Sequence, residues 1–274
     1  MPSVDITWSG SLHQTFRLLP KGKQSANLRP FLEADRLTPD DLLKLLPYDK
    51  ARAKDPAKTA PDPKRYRDGR QVYQTVGLLY EDAGLVRVTD LGKATLRWLD
   101  IITEKNRVIL ARHAAYALAA CQLRNPTGAG ERYAANMTVF PFAFIWRAML
   151  ALEGRISSDE LNRSIFKVQN EAQLSMAIEN IRKARDANDV SLLGDETITG
   201  DAKNDRIIPW VSLASFGWTL FADKGNDTHY KLDPATHYVV REAARIRHPH
   251  KEFSSVRAYI EHVSRCAALP KDSR

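Results

Sequence analysis

The segment 84–99, GLVRVTDLGKATLRWL, constrains the fold of this chain more than any other stretch. Gly84 suits the left-handed backbone conformation that commonly ends a helix. The β-branched residues within Leu85–Val88 favour a short strand. Thr89 is a good N-cap, because its hydroxyl can accept a hydrogen bond from a free amide of the next helical turn. The helix that follows keeps its apolar residues at helical spacing, at Leu91, Leu96 and Leu99.

A helix is predicted just before this segment, over Gln71–Ala83, QVYQTVGLLYEDA. Its apolar residues recur at helical spacing and form the expected buried side: Val72, Val76, Leu79 and Tyr80. Helix, glycine stop, strand and capped helix in this order resemble the end of a winged-helix domain, in which the recognition helix leads into a β-hairpin wing and a closing helix. Any small α+β turn of the same chemistry would leave the same pattern, so both interpretations stay open.

A second copy of this pattern is predicted in Val211–Phe221, VSLASFGWTLF. Aligning Gly217 with Gly92 places Val211 on Val86, and the apolar positions around them coincide. Two matches in one chain indicate a domain that is used twice. The match covers only about a dozen residues, so chance remains an alternative explanation.

The second half of the chain repeats the predicted order of elements. A helix over Phe140–Leu152 precedes Ser157, which forms a capping-box pattern with Glu160. A third helix is predicted over Asn170–Asn188. The wing strands of this half are then expected in two segments, Val190–Leu193 and Ile207–Leu213.

These patterns predict a mainly α-helical fold with small β wings, made of two winged-helix-like domains joined by a long helix. The long helix is expected to begin at Asp90 and to continue, with or without a break, to Leu123. The first domain, residues 1–124, includes an N-terminal arm that is expected to pack on it through Trp8. The second domain, residues 136–274, ends in two basic helices. The segment Asn125–Ala135, which contains Pro and Gly, marks the boundary.

Charge and cysteine content limit the class of partner and the compartment. The formal net charge is +8 and the pI is about 9.4, which favours an anionic partner such as nucleic acid. Cys121 and Cys266 form no CxxC pair, so a reducing, cytoplasmic setting is expected. The chain starts without a signal-peptide pattern, and the apolar run Met137–Leu152 is too short to span a membrane, so no membrane partner is expected.

The basic and amide residues around the predicted recognition helices are the candidate DNA contacts. In the major groove, arginine pairs with guanine and glutamine with adenine, and the N-terminal part of the helix normally reaches the base edges. The residues expected to contact bases are Arg67, Arg70, Gln71 and Gln74. The expected phosphate contacts nearby are Lys64, Arg65 and Arg87. In the second half, DNA contact is predicted for Arg182, Lys183, Arg185 and Arg206.

Catalytic motifs are sparse in this sequence. No phosphate-binding loop, dinucleotide fingerprint, HExxH or GxSxG pattern occurs, and no cofactor or metal is expected. Asp195, Asp201 and Lys203 resemble part of a restriction-type nuclease core, in which carboxylates bind Mg²⁺. They lie in a polar segment with no predicted sheet around it. The downstream histidines fit no zinc template and are expected at the surface: His229, His237, His248, His250 and His262.

Three segments, TWSGSLHQTFR, VRVTDLGKA and PFAFIWRAMLALEGRISSDELNR, resemble the helical, winged-helix-bearing parts of AlwI-type restriction endonucleases and related defence proteins. The resemblance covers about half of the chain and does not include a nuclease core. It implies a recognition subunit or regulator that binds double-stranded DNA in a restriction, phage-defence or transcription context, as a homodimer or with a partner subunit. The alternatives are a Mg²⁺-dependent endonuclease and a winged-helix adaptor for protein interaction.

Overall fold

The computed structural model describes residues 8, 25–46, 63–101, 107–127, 133–196, 198, 207, 210–211, 213–215, 220–223 and 226–267. Within these residues the chain is mainly helical, with two small antiparallel sheets, as the sequence predicts. The first half contains α1 (Ser25–Glu33), α2 (Pro39–Leu45), α3 (Pro63–Thr75), β1 (Leu79–Asp82), β2 (Leu85–Val88), α4 (Asp90–Ile101) and α5 (Arg107–Ala120).

The second half runs through a comparable series of elements. They are α6 (Pro141–Ala151), β3 (Arg155–Ser157), α7 (Ser158–Arg163), α8 (Glu171–Ala187), β4 (Leu220–Asp223), β5 (Asn226–Leu232), α9 (His237–Arg245) and α10 (Val256–Cys266). The strand order of the second sheet is β3-β5-β4, and both neighbouring pairs are antiparallel. Short 3-10 helices cover Ile165–Lys167 and Val190–Leu193.

The predicted helix over Gln71–Ala83 is wrong in its second part. Helix α3 begins at Pro63, before the predicted start at Gln71, and ends at Thr75. Gly77, with φ of 80°, ends the helix in place of the predicted Gly84. The residues Leu79 and Tyr80 fit a helical period but belong to β1, because a short apolar run does not distinguish a helix from a strand.

The hairpin β1–β2 confirms the predicted strand over Leu85–Val88. Its register pairs Leu79 with Val88 and Asp82 with Leu85. Ala83 and Gly84 form the two-residue turn. Both have positive φ, as in the type I′ turns whose twist matches that of the flanking strands. The connection between α1 and α2 lies along β2, since the Arg36 amide donates to the Val86 carbonyl at 2.8 Å and the Val86 amide donates to the Leu37 carbonyl at 2.8 Å.

The predicted helix cap at Thr89 is confirmed. The Gly92 amide donates to Thr89 Oγ1 at 3.1 Å, and the same hydroxyl donates to the Gly77 carbonyl at 2.7 Å. A Cβ atom on Gly92 would lie 2.3 Å from the Leu78 carbonyl oxygen. Helix α4 therefore packs directly on the connection between α3 and β1, at a distance that only glycine permits.

The proposed second copy in Val211–Phe221 is wrong. Val86 lies in a strand, whereas Val211 and Leu213 are helical. Both predicted wing strands are wrong as well, because Val190–Leu193 is a 3-10 helix and the described residues of Ile207–Leu213 are helical. Val211 and Leu213 are both buried, so their apolar character reflects the core rather than a strand. The hairpin of this half is β4–β5, further along the chain.

The predicted capping box of the second half is confirmed, and the structure adds two further helix-start features. Ser157 and Glu160 form the predicted capping box at the start of α7. Asn170 caps α8, with its side chain accepting from the Gln173 amide at 3.1 Å. Pro141 occupies the first turn of α6, where its missing N–H costs no hydrogen bond.

The long helix from Asp90 to Leu123 is not continuous. The rings of Trp98 in α4 and His113 in α5 lie 5.6 Å apart. In a single helix, residues fifteen positions apart would be separated by about 22 Å. The two helices therefore pack against each other instead of forming one rod.

The N-terminal Trp8 packs on the second half of the chain, not on the first. Its ring lies 5.3 Å from that of Phe166 and 6.1 Å from that of Trp210. Trp8 Nε1 donates to the Val168 carbonyl at 2.8 Å, and the Tyr133 hydroxyl donates to the Trp8 carbonyl at 3.2 Å. This correction reflects long-range packing that a single sequence does not reveal.

The buried core runs through both halves. Helix α10, near the C-terminus, packs on the first half, where the Tyr259 hydroxyl donates to the Thr75 carbonyl at 3.1 Å and the Leu91 amide donates to Ser264 Oγ at 3.3 Å. The division into folding units 1–124 and 136–274 stays a prediction.

Three of the histidines expected at the surface are half-buried. His248 lies against the ring of Phe140, with centroids 6.1 Å apart, and His250 lies against the same ring at 6.4 Å. His262 packs on Phe253 at 5.3 Å. Burial lowers the pKa of all three imidazoles, and neighbouring cations such as Lys251 lower it further for His248 and His262.

The close approach at Gly92 generates the first prediction. Gly92→Ala should lower the free energy of unfolding by about 1–3 kcal/mol, the usual cost of overpacking a core, because the new methyl group meets the Leu78 carbonyl. Urea unfolding of both proteins measures the change. Lys93→Ala, at the exposed next position, is the matched control and should cost much less. Equal losses in the two variants would show that the close packing does not limit stability.

Acid should destabilise the protein. The folded chain keeps His113, His248, His250 and His262 neutral, since burial lowers each pKa below the ordinary value of 6.5. The unfolded chain binds protons at these sites at a higher pH, so the free energy of unfolding falls as pH drops below about 6.5. Urea unfolding at pH 7.5 and pH 5.5 tests this. His248→Gln should reduce the difference, and equal stability at both pH values would contradict the assignment.

Candidate nucleic-acid interface

Helix α3 carries a polar side and an apolar side. The apolar side is buried at Val72, Tyr73 and Val76. On the other side, Arg67 is exposed, and Gln71 and Gln74 are partly exposed. Positions 67, 71 and 74 follow the spacing of one helical face. These three residues are called the α3 stripe below.

The charge of α3 is strongly positive. Its thirteen residues include Lys64, Arg65, Arg67 and Arg70 against a single acidic residue, Asp68. Lys64 and Arg65 lie in the first turn of the helix. This part of the chain therefore supplies both predicted base contacts and predicted phosphate contacts within about three helical turns.

Arg70, a predicted base contact, has partners inside the protein. Its Nη1 lies 3.0 Å from Glu81 Oε1 and 3.1 Å from Glu81 Oε2. The Tyr66 hydroxyl donates to the same carboxylate, and burial together with this hydrogen bond raises the pKa of Tyr66. Arg70 thus ties α3 to β1, which orients the α3 stripe relative to the hairpin.

Two further cations lie on or along the hairpin. Arg87 lies on β2, opposite Tyr80 of β1, and is partly exposed. Arg36 is exposed and has a φ of 70°, an uncommon conformation for a non-glycine residue. Within the described part of the chain, neither Arg36 nor Arg87 forms an ion pair. Sequence reasoning missed Arg36, because its position along β2 depends on backbone pairing across fifty residues.

The predicted cations of α8 are more strongly committed to protein contacts. Arg185 Nε lies 2.7 Å from Glu160 Oε1, and its Nη1 donates to the Leu152 carbonyl at 3.2 Å. Arg182 donates to the Ala151 carbonyl at 3.0 Å. Lys183 pairs with Glu179 at 4.0 Å on the helix surface. These contacts hold α8 to α7 and to the end of α6.

The remaining candidate residues are not brought together by the described structure. Asp195 is exposed. Asp201, Lys203 and Arg206 lie outside the described residues. Among the residues that are described, no group of three or more His, Cys, Asp or Glu side chains is placed to hold a metal ion.

None of the described helices is both long and apolar enough to cross a membrane.

Comparison with known proteins finds similarity to solved structures but not to any family model. No protein-family model and no curated protein matches the sequence. A crystal structure of the BpuJ1 endonuclease binding domain, in complex with pyrene- and phenanthrene-modified DNA, matches with a TM-score of 0.59 and 12% sequence identity. The match covers 93% of this chain and 96% of that chain. The fold of this protein is therefore similar, over almost its whole length, to that of the BpuJ1 endonuclease binding domain.

Proposed function

We propose that this protein binds double-stranded DNA, as a recognition subunit or a regulator in a restriction context, alone, as a homodimer or with a partner subunit. The observation that carries the proposal is the α3 stripe, an arginine and two glutamines on the outer face of a strongly basic helix. Similarity to the fold of a DNA-bound endonuclease domain supports it. The net charge of +8 agrees with a polyanionic partner.

The finer part of the proposal is that each half is a winged-helix unit. In both halves a helix, a short extended segment and two helices precede a hairpin and a closing helix. The second half has additional helical elements in this series: two 3-10 helices, and the helical residues around Val211 between α8 and the hairpin. The extended segment contacts the second strand of the hairpin in both cases: residues 36–37 bond to β2, and β3 pairs with β5. This correspondence replaces the pairing of Val86 with Val211, and it makes α3 and α8 the equivalent recognition helices.

In the first unit, α3 enters the major groove with the α3 stripe facing the base edges. Arg67 has the bidentate geometry that suits guanine, and Gln71 and Gln74 suit adenine. Lys64 and Arg65 in the first turn, with Arg36 and Arg87 at the hairpin, meet backbone phosphates, which position the helix without specifying sequence. Arg70 acts indirectly, by holding α3 on β1 through Glu81.

The second unit contributes phosphate contacts rather than base contacts. The exposed residues in the N-terminal part of α8 carry no positive charge: Ala172, Ser175, Met176 and Glu179. Arg182 and Lys183 lie further along α8 and are exposed. Since the N-terminal part of a recognition helix normally reaches the bases, sequence discrimination is assigned to α3.

The α3 stripe generates a prediction about specificity. Arg67→Ala and Gln71→Ala should each weaken binding to a duplex selected from a random pool by about 1–3 kcal/mol and relax preference at one position. Binding to the selected and a scrambled duplex should be measured by fluorescence anisotropy. Arg97→Ala removes an exposed arginine of α4 and is the charge control. If all three variants weaken both duplexes equally, α3 does not determine sequence.

The hairpin cations generate a prediction about salt dependence. Arg36→Ala and Arg87→Ala should weaken the selected and scrambled duplexes alike, and each should reduce the slope of log affinity against log salt by about one. The reason is that a variant with one phosphate contact fewer releases fewer counterions from the DNA when it binds. A wild-type affinity that does not change with salt would contradict phosphate binding. Duplex cleavage in the presence of Mg²⁺ would instead support the endonuclease alternative.

A further inference from the structure

Two connections between helices lie side by side on this protein. One is residues 121–127, between α5 and α6, and the other is residues 246–255, between α9 and α10. The buried side chain of Gln122 joins them: its Nε2 donates to the Lys251 carbonyl at 2.8 Å, and the Lys251 amide donates to Gln122 Oε1 at 2.9 Å. The backbone of Lys251 is therefore held in place by a side chain that is only 1% exposed.

A cavity of about 210 Å³ opens between these connections. It is lined by Arg124, Asn125, Pro126, Lys251, Glu252 and Phe253. A water molecule occupies about 30 Å³ in the liquid, so the cavity has room for a phosphate group with several waters.

The wall of the cavity is fixed by buried polar side chains. Asn125 Nδ2 donates to the Gln122 carbonyl at 2.8 Å, and Thr127 Oγ1 donates to Asn125 Oδ1 at 2.6 Å. Asn125 and Thr127 are both buried. Each polar group costs free energy to bury unless it is hydrogen-bonded, and these bonds hold residues 122–127 in one conformation.

The charge of the cavity is positive. Arg124 and Lys251 face it with a single carboxylate, Glu252, whose closest approach to Arg124 Nε is 3.5 Å and whose side chain is 72% exposed. Such an exposed pair is weak, so another anion can replace it. The Lys251 ammonium has no ion pair within the described residues. Beside Arg124 and Glu252, His250 keeps an enclosed Nε2 that finds no hydrogen-bond partner among the described residues.

The cavity lies next to the C-terminal end of α3. Thr75, the last residue of that helix, has its Oγ1 3.4 Å from Thr127 Oγ1. Thr127 in turn bonds to Asn125 of the cavity wall. The α3 stripe ends at Gln74, one residue before this contact.

We propose that the cavity between the two connections binds an oxyanion, namely a backbone phosphate of the duplex that α3 contacts. The inference rests on the proposed function. A helix in the major groove runs between two phosphate backbones, and contacts near its ends fix its register. Arg124 and Lys251 supply the positive charge at the C-terminal end, as Lys64 and Arg65 do at the start.

The DNA arm of the test uses the full chain. Lys251→Ala and Arg124→Ala should each weaken the selected and the scrambled duplex to the same extent, by roughly threefold to tenfold, and lower the salt slope by about one. Lys251→Arg should restore most of the affinity, and Arg97→Ala is again the charge control. Thermal unfolding of each variant checks that the fold is kept. Wild-type affinity in both alanine variants would overturn the assignment to a DNA phosphate.

A second arm uses inorganic phosphate without DNA, and it separates the two possible sources of the oxyanion. Phosphate is titrated at constant ionic strength while the amide NMR signals of Asn125 and Lys251 are followed. A saturable shift that is lost in Lys251→Ala, together with unchanged DNA affinity, would assign the cavity to free phosphate. If no duplex binds the wild type, the proposed function fails, and this arm alone decides on the cavity. No saturable shift and no loss of DNA affinity would overturn the inference.

Discussion

The hydroxyl of Thr89 holds together the part of the structure that carries the proposed DNA-binding face. It donates to the Gly77 carbonyl, just after α3, and accepts from the Gly92 amide at the start of α4. Since Gly92 has no side chain, α4 sits directly on the connection that leads from α3 into the hairpin. The orientation of α3 relative to β1 and β2 follows from this contact. The α3 stripe and the hairpin cations are consequently presented on a rigid base.

Part of the positive charge of this protein stabilises the fold. Arg147 donates to the Ala244 and Ile246 carbonyls at the end of α9, and Arg185 donates to carbonyls near the end of α6. Cations at these positions satisfy the free carbonyls of a helix C-terminus and oppose its partial negative charge. These arginines therefore stabilise the fold, and the net charge overstates the charge that is free to meet DNA.

Prediction from sequence succeeded where the physical cause was local. The Thr89 cap and the Ser157–Glu160 capping box depend on residues three positions apart, and both predictions are confirmed. Strand β1 was missed, because its apolar residues continue the helical period of α3. The pairing of Val211 with Val86 failed, because apolar residues in a buried helix resemble those of a strand.

The candidate site was less predictable than the fold. The α3 stripe could be predicted from the sequence, but the residues with which the arginines form ion pairs could not. Arg70 pairs with Glu81 across eleven residues, and Arg185 pairs with Glu160 across twenty-five. Whether an arginine is free to contact a ligand depends on such long-range pairs. Arg36 is the opposite case. It forms no ion pair among the described residues, but nothing in the local sequence predicts its position beside the hairpin.

The return of α10 to the first half has a consequence for the strength of binding. The chain passes between the halves through both connections, and Gln122 fastens one connection to the other. The two connections are thereby joined by side-chain hydrogen bonds as well as by the chain. Under the proposed function, a duplex held through α3 would meet the cations of α8 at a high effective concentration, so a second weak contact would add avidity at little entropic cost.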